Sequence, residues 1–260
     1  MITRVLAVGL LAGLCAGLAV SALQSFTTTP IILAAEVFEN AEEAKADSAS
    51  LGAGADRIFV AHQPRLILVH GDTHSEGNSA QSNKEEWAPQ DGMERTVFTS
   101  VATIATAIGF AMIILAGMLF SGDVINEQRA MAWAAAGFVA AGLAPAVGLS
   151  PELPGMAAAG LPGRQEWWIA TVLCTAVALW LFLRSDNNWL RLLAVPIVLA
   201  PHIWGAPHLA ESHESGVPAE LAAQFAATSL AVQATLWILT GFFVGFLWHK
   251  LGYLNARPAA

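Results

Sequence analysis

Five of the seven histidines in this chain of 260 residues gather in two short stretches. The first is His70-Gly71-Asp72-Thr73-His74-Ser75-Glu76, where potential ligands alternate with small residues. An extended chain with that spacing presents His70, Asp72, His74 and Glu76 on one side. Imidazole and carboxylate together form an N/O donor set suited to divalent first-row ions such as Co²⁺, Ni²⁺ or Zn²⁺. The spacing matches no closed zinc-finger pattern, and the competing reading is an ordinary polar loop.

The second stretch is Pro201-His202-Ile203-Trp204-Gly205-Ala206-Pro207-His208, followed by Glu211, His213 and Glu214. His202 is the most informative residue, because an ionisable side chain at membrane depth points to function by default. The prolines and glycine around it supply the irregular backbone tolerated where a cavity is lined. His202, His208, His213 and Glu214 are the candidate metal ligands here. The competing reading makes His202 an interfacial histidine bonded to a carbonyl freed near Pro201.

No catalytic machinery accompanies these ligands. The chain holds no GxxxxGK[ST] run, no GxSxG elbow and no HExxH helix, so it is not expected to be an enzyme. Cys15 and Cys174 lie in apolar segments without a CxxC pair and are read as packing residues. Gln233, Thr235 and Thr240, with Thr96, Thr99, Ser100, Thr103 and Thr106, are read as bonding between helices.

The elements that position these groups are membrane helices. Only 12% of residues are charged and 55% are hydrophobic, against about 25% charged in soluble domains. Apolar runs at 5–23, 97–120, 130–149, 167–183, 189–204 and 222–248 suit a hydrocarbon core about 30 Å thick. The expectation is an all-α, polytopic bundle of about six transmembrane helices embedded in the lipid bilayer. Residues 1–25 form its first helix, 26–95 a His/acid extracytoplasmic loop, and 96–260 the remaining helices as one bundle. The net charge of −8 arises mostly between Glu36 and Glu94, and no basic face for nucleic acid exists.

Within the first segment Gly9, Gly13 and Gly17 recur every four residues, a stripe for close backbone approach. A signal peptide, with Arg4 ahead of the apolar core and Val20-Ser21-Ala22 behind it, is the alternative. In the loop, Pro30, Pro64 and Pro89 are read as breakers, with a short surface helix over 36–45. The fifth segment contains Pro196 and Pro201 and is expected to be kinked, broken or tilted. Interrupted helices of that kind line substrate paths in transporters, whereas a merely bent helix only packs.

Trp167, Trp168, Trp189, Trp204 and Trp248 fall at segment ends as interfacial anchors. With six crossings, Arg4, Arg129, Arg184, Arg191, Lys250 and Arg257 share one side and the short loops opposite hold only Arg164. The positive-inside rule then places both termini in the cytoplasm and every histidine except His249 on the outer side.

The order of these pieces carries a resemblance. A Gly-rich first helix leads to Gln24 and Pro30-Ile31-Ile32-Leu33-Ala34-Ala35-Glu36, then to the His/acid loop. Arg129-Ala130-Met131-Ala132-Trp133-Ala134-Ala135-Ala136-Gly137-Phe138, a Pro/Gly loop, the Pro201 to His208 stretch and Gln233-Ala234 with Trp237 follow. Over nearly its whole length the chain resembles the CbtA family of proposed cobalt transporter subunits. The resemblance implies a bacterial inner-membrane protein linked to cobalamin synthesis, with a small single-helix partner, CbtB, that carries a His-rich tail. Family members are described with five spans where six are counted here. The expected function is uptake of a divalent transition metal, foremost Co²⁺, from the periplasm, with the ion as cargo and no permanently bound cofactor. The alternative is a non-transporting scaffold that recruits the true permease.

Overall fold

The computed structural model describes residues 1–53, 92–208 and 216–255, with side chains for 1–41, 92–208 and 216–252. The described residues contain helices and no strand: α1 (Ile2–Phe26), α2 (Thr28–Ala53), α3 (Met93–Phe120), α4 (Glu127–Phe138), a π-helical turn (Val139–Leu143), α5 (Ala144–Ala146), α6 (Leu161–Arg184), α7 (Asn188–Trp204) and α8 (Ala219–Asn255). The candidate ligands His70, Asp72, His74, Glu76, His213 and Glu214 lie outside the described residues.

Among the described residues, four helices are long and apolar enough to cross a membrane: α1, α3, α6 and the Ala219–Gly252 part of α8. The other two expected spans fall short for different reasons. The segment expected at 130–149 runs as α4, the π-helical turn and α5 in unbroken succession, none of them long enough by itself, and α7 has only 17 residues.

The glycine stripe explains how α1 joins the bundle. A Cβ on Gly13 would stand 2.4 Å from the Ile108 Cα, and one on Gly17 would stand 2.6 Å from the Ile104 Cα. Only a residue without a side chain lets α1 and α3 run backbone against backbone, antiparallel, at those points. On the opposite side of the core, Gly241 meets Ala130 and Ala134 of α4, and Gly245 meets Asn126 and Glu127. Val8, Ala12, Ala111, Leu115, Met118, Ala130, Ala134, Trp237 and Val244 fill the space that α1, α3, α4 and α8 enclose. Trp237 stacks on Phe110 at 3.9 Å and lies over Gly137.

Two sequence expectations need correction. Pro30 does not break the chain: α2 starts at Thr28, so Pro30 falls in the first turn, where backbone N–H groups have no intrahelical acceptor anyway. The Ala- and Glu-rich run behind it then extends the helix well beyond the 36–45 expected, as those propensities favour. Nor do Pro196 and Pro201 break α7, one of the three outcomes expected of them, because the helix continues through both. Each ring instead removes the N–H that the carbonyl four residues earlier, Leu192 or Ile197, would have received.

α2 covers one end of the bundle. Ile31 and Ala35 pack on Leu153 and Val217, and Arg95 at the start of α3 forms an ion pair with Glu36. The Arg95 guanidinium, as a hydrogen-bond donor first and a charge second, outweighs partial burial and holds the Glu36 carboxyl below its ordinary range. At the other end Arg4 donates to the Trp248 carbonyl and its guanidinium lies 4.1 Å from that indole ring. The start of α1 and the last turns of α8 therefore share one end, called the terminal end below.

Candidate metal-handling site

His202 occupies the last turn of α7. The helix stops at Trp204 because Gly205 takes a positive φ of 91°, and its N–H returns to the Pro201 carbonyl at 3.1 Å. That carbonyl accepts a second bond, 2.9 Å, from the Trp167 indole Nε1 on α6. Thus the Pro201 carbonyl serves Gly205 and Trp167 and not the His202 ring, while the carbonyl that the Pro201 ring frees is that of Ile197. The imidazole, which has no hydrogen bond among the described residues, stands edge-on to Trp167 with ring centroids 5.7 Å apart. His202 is half-buried and His208 exposed.

Beyond Gly205 the chain folds back over the starts of its neighbours. Ala206 and Trp167 both crowd Gly148, where an added Cβ would lie 2.9 and 2.5 Å from them. Pro207 passes Gly163 in ordinary contact. Trp167, expected at an interface, is only 7% exposed and is a positioning residue for the His202 turn. The signal for this lay in the Trp167-Trp168 pair: neighbours on a helix point about 100° apart, so one indole faces inward when the other faces out.

Beside this turn lies a cleft of about 640 Å³ between the π-helical turn, α6 and α8. Trp168 and Gln165 line it from α6, Gln233 lines it from α8, and Glu152 paired with Arg164 at 2.7 Å stands in its wall. A Cβ on Gly142, in the π-helical turn, would come within 2.6 Å of Gln233 Oε1, so the missing side chain makes room for that amide. π-Helical turns within α-helices recur at functional positions. Among the described residues no three His, Cys, Asp or Glu side chains converge as a metal-binding group. His202 and His208 are the two proposed ligands that the description covers.

The terminal end is built differently. Asp123, between α3 and α4, accepts from Trp133 Nε1 at 2.9 Å, from Arg129 at 3.0 Å and from Arg184 at 3.1 Å. Arg184 also donates to the Ser121 carbonyl, which ties α6 to the α3–α4 turn. The Trp133 N–H is the chief cause holding the Asp123 carboxyl below its ordinary range, and the arginines add to it against desolvation. Sequence reasoning missed Asp123, although an acid between two apolar runs, six residues before an arginine, was a usable signal.

A family model described as probable cobalt transporter subunit (CbtA) matches residues 2–249. No curated protein and no solved structure matches the chain.

Proposed function

The chain belongs to the CbtA family of probable cobalt transporter subunits, and from that premise we propose that it takes up a divalent transition metal, foremost Co²⁺, for cobalamin synthesis. The match along nearly the whole chain is the observation that carries this reading. In it, His70, Asp72, His74 and Glu76 capture the ion outside, and His202, His208, His213 and Glu214 pass it to the bundle. The His202 imidazole, half-buried and without a hydrogen bond among the described residues, supports that role. A small, single-helix, His-rich subunit of the CbtB kind would deliver or receive the metal.

Six segments crossing a bacterial inner membrane, with both termini in the cytoplasm, complete the proposal. Arg4, Arg129 and Arg184 are engaged at the terminal end, and Arg191 joins them through the Ser185 carbonyl, so cationic residues gather there. That asymmetry favours a cytoplasmic terminal end. Alkaline phosphatase fused after Ala260 should be inactive, whereas a fusion near Ser215 should be active.

Without a nucleotide motif, the driving force is the membrane potential, ~2.3 kcal/mol per charge per 100 mV, or a partner. Purified protein in liposomes should accumulate Co²⁺ when the interior is made negative. Failure to accumulate it at any potential would assign the chain to the scaffold role instead.

A further inference from the structure

Near the middle of α8, about 21 Å from its first residue at 1.5 Å per residue, Gln233 faces clefts on both sides of the helix. One is the 640 Å³ cleft beside the π-helical turn. The other, about 340 Å³, lies between α1, α3 and α8 beneath the start of α2. Its polar lining includes Gln24, Thr28, Thr103, Thr106 and Ser229, and it contains no ionisable side chain. Thr103 donates to Gln24 Oε1 at 3.0 Å, whereas the Gln233 amide makes no hydrogen bond with any described residue. One turn further along α8, the Trp237 indole Nε1 is buried without an acceptor among the described residues.

Half-buried and without a hydrogen-bond partner among the described residues, the Gln233 amide is open to water or to a ligand from the clefts it lines. Helix-to-helix bonding, the role expected for Gln233, does not occupy it. The shape of its neighbours is fitted to it instead: Gly142 leaves the space its Oε1 fills. Apart from the Glu152 carboxylate of the first cleft, which Arg164 neutralises, the available donors are amide and hydroxyl oxygens, which suit a cation that keeps its waters, not a bare ion needing imidazole or thiolate. A cation with six waters requires about 200 Å³ at roughly 30 Å³ per water, and either cleft is larger.

We propose that Gln233 is a binding position for a hydrated divalent cation at mid-bundle, reached from both clefts and distinct from the histidine sites. The proposal rests on the reading of a divalent cation as cargo and adds where the ion pauses after the histidines. Choice among first-row metals belongs to the histidines, because hydroxyl and amide oxygens touching a water shell distinguish such ions weakly.

The test uses the full chain in membrane vesicles with Cys15→Ala and Cys174→Ala. Ser229→Cys in one cleft and Ala141→Cys in the other report access to a small, neutral, water-soluble thiol reagent. Both should react, while Ile238→Cys, on an exposed apolar face, should not. Millimolar Co²⁺ should slow both reactions about fivefold, and Mg²⁺ should do so within about threefold of Co²⁺. Gln233→Leu should abolish the slowing in both clefts, and Gly142→Ala, which displaces the amide, should reduce it. Gln233→Glu should retain it, which separates the cation site from a general loss of packing.

Unreactive cysteines in both clefts, slowing that survives Gln233→Leu, or slowing by Co²⁺ without any by Mg²⁺ would overturn the proposal. Because labelling is read without transport, the two readings fail separately. Liposomes that carry Co²⁺ with no Gln233-dependent slowing remove only this site. Gln233-dependent slowing in a protein that carries no Co²⁺ removes only the uptake reading.

Discussion

The α1–α3–α4–α8 core and the α6–α7 hairpin are built on opposite terms. In the core, glycines bring backbones into contact and small or branched side chains leave little slack, with Val8, Ala12, Leu115, Met118 and Val244 wholly buried. The hairpin is peripheral: among the described residues α7 packs on no helix but α6, and Trp189, Leu192, Ile203 and Trp204 are exposed on it. Yet the hairpin carries His202, both α7 prolines and the tryptophan that positions the turn. Close packing thus serves to make a frame, and the candidate ligand His202 is placed where helix movement displaces few neighbours.

The largest effect should come from breaking the frame. Gly13→Leu places its side chain on the Ile108 backbone, which cannot yield as a flexible side chain would. Overpacking of that kind costs about 1–3 kcal/mol even where backbones can shift, and here two helices must separate. Membrane-inserted protein should fall to background in quantitative blotting. Gly109→Leu, where an added Cβ meets nothing within 4 Å, should leave the level near that of the wild type. Equal abundance of the two variants would show that the α1–α3 seam is not what holds the core.

A smaller effect is expected at the tie between the two regions. Asp123 joins the α3–α4 turn to Arg184 of α6. Asp123→Asn should therefore lower stability by about 2 kcal/mol at neutral pH, the scale of charge-assisted hydrogen bonds. Since its folded pKa is lowered, its contribution is present above the unfolded value of about 3.9 and is lost as pH falls through the folded value. Thermal unfolding in detergent should show the wild type losing this increment below about pH 4, with the Asn variant flat by comparison. Parallel pH profiles would detach Asp123 from stability.

The frame was more legible in the sequence than the hairpin. Gly9, Gly13 and Gly17 announced a helix seam because a repeat of four lies on one face, and apolar run length located the long spans. Length could not reveal the π-helical turn, which depends on how one extra residue is accommodated against Gln233 and α6. α2 was misjudged because Pro30 was weighed by its type and not by its position in the first turn. Asn126 accepts from the Arg129 backbone N–H at 2.9 Å and starts α4 before the expected 130, a cap that the sequence displayed openly. Trp167 and the tie from Asp123 to α6 escaped because their partners, Pro201 and Arg184, stand 34 and 61 residues away, which no local pattern pairs.

The smallest expected effects separate the two histidine groups and decide whether the hairpin carries ions or merely bends. His202 has one aromatic neighbour and no hydrogen bond among the described residues, so its loss removes little packing and at most one ligand. A ligand missing at membrane depth is not readily replaced by a mobile neighbour. His202→Ala, inserted at normal abundance, should lower the maximal Co²⁺ uptake rate at every concentration, with His208→Ala acting less severely because that side chain is exposed. Trp167→Phe keeps an aromatic ring beside the imidazole but removes the 2.9 Å bond to Pro201, and should reproduce the His202 defect in part. His70→Ala with His74→Ala should be milder still, since Asp72 and Glu76 remain to concentrate the ion. Uptake should then fall only at limiting metal and recover fully when metal is raised. If excess metal also rescued His202→Ala completely, the hairpin histidine would lie off the path, and α7 would join α6 as packing alone.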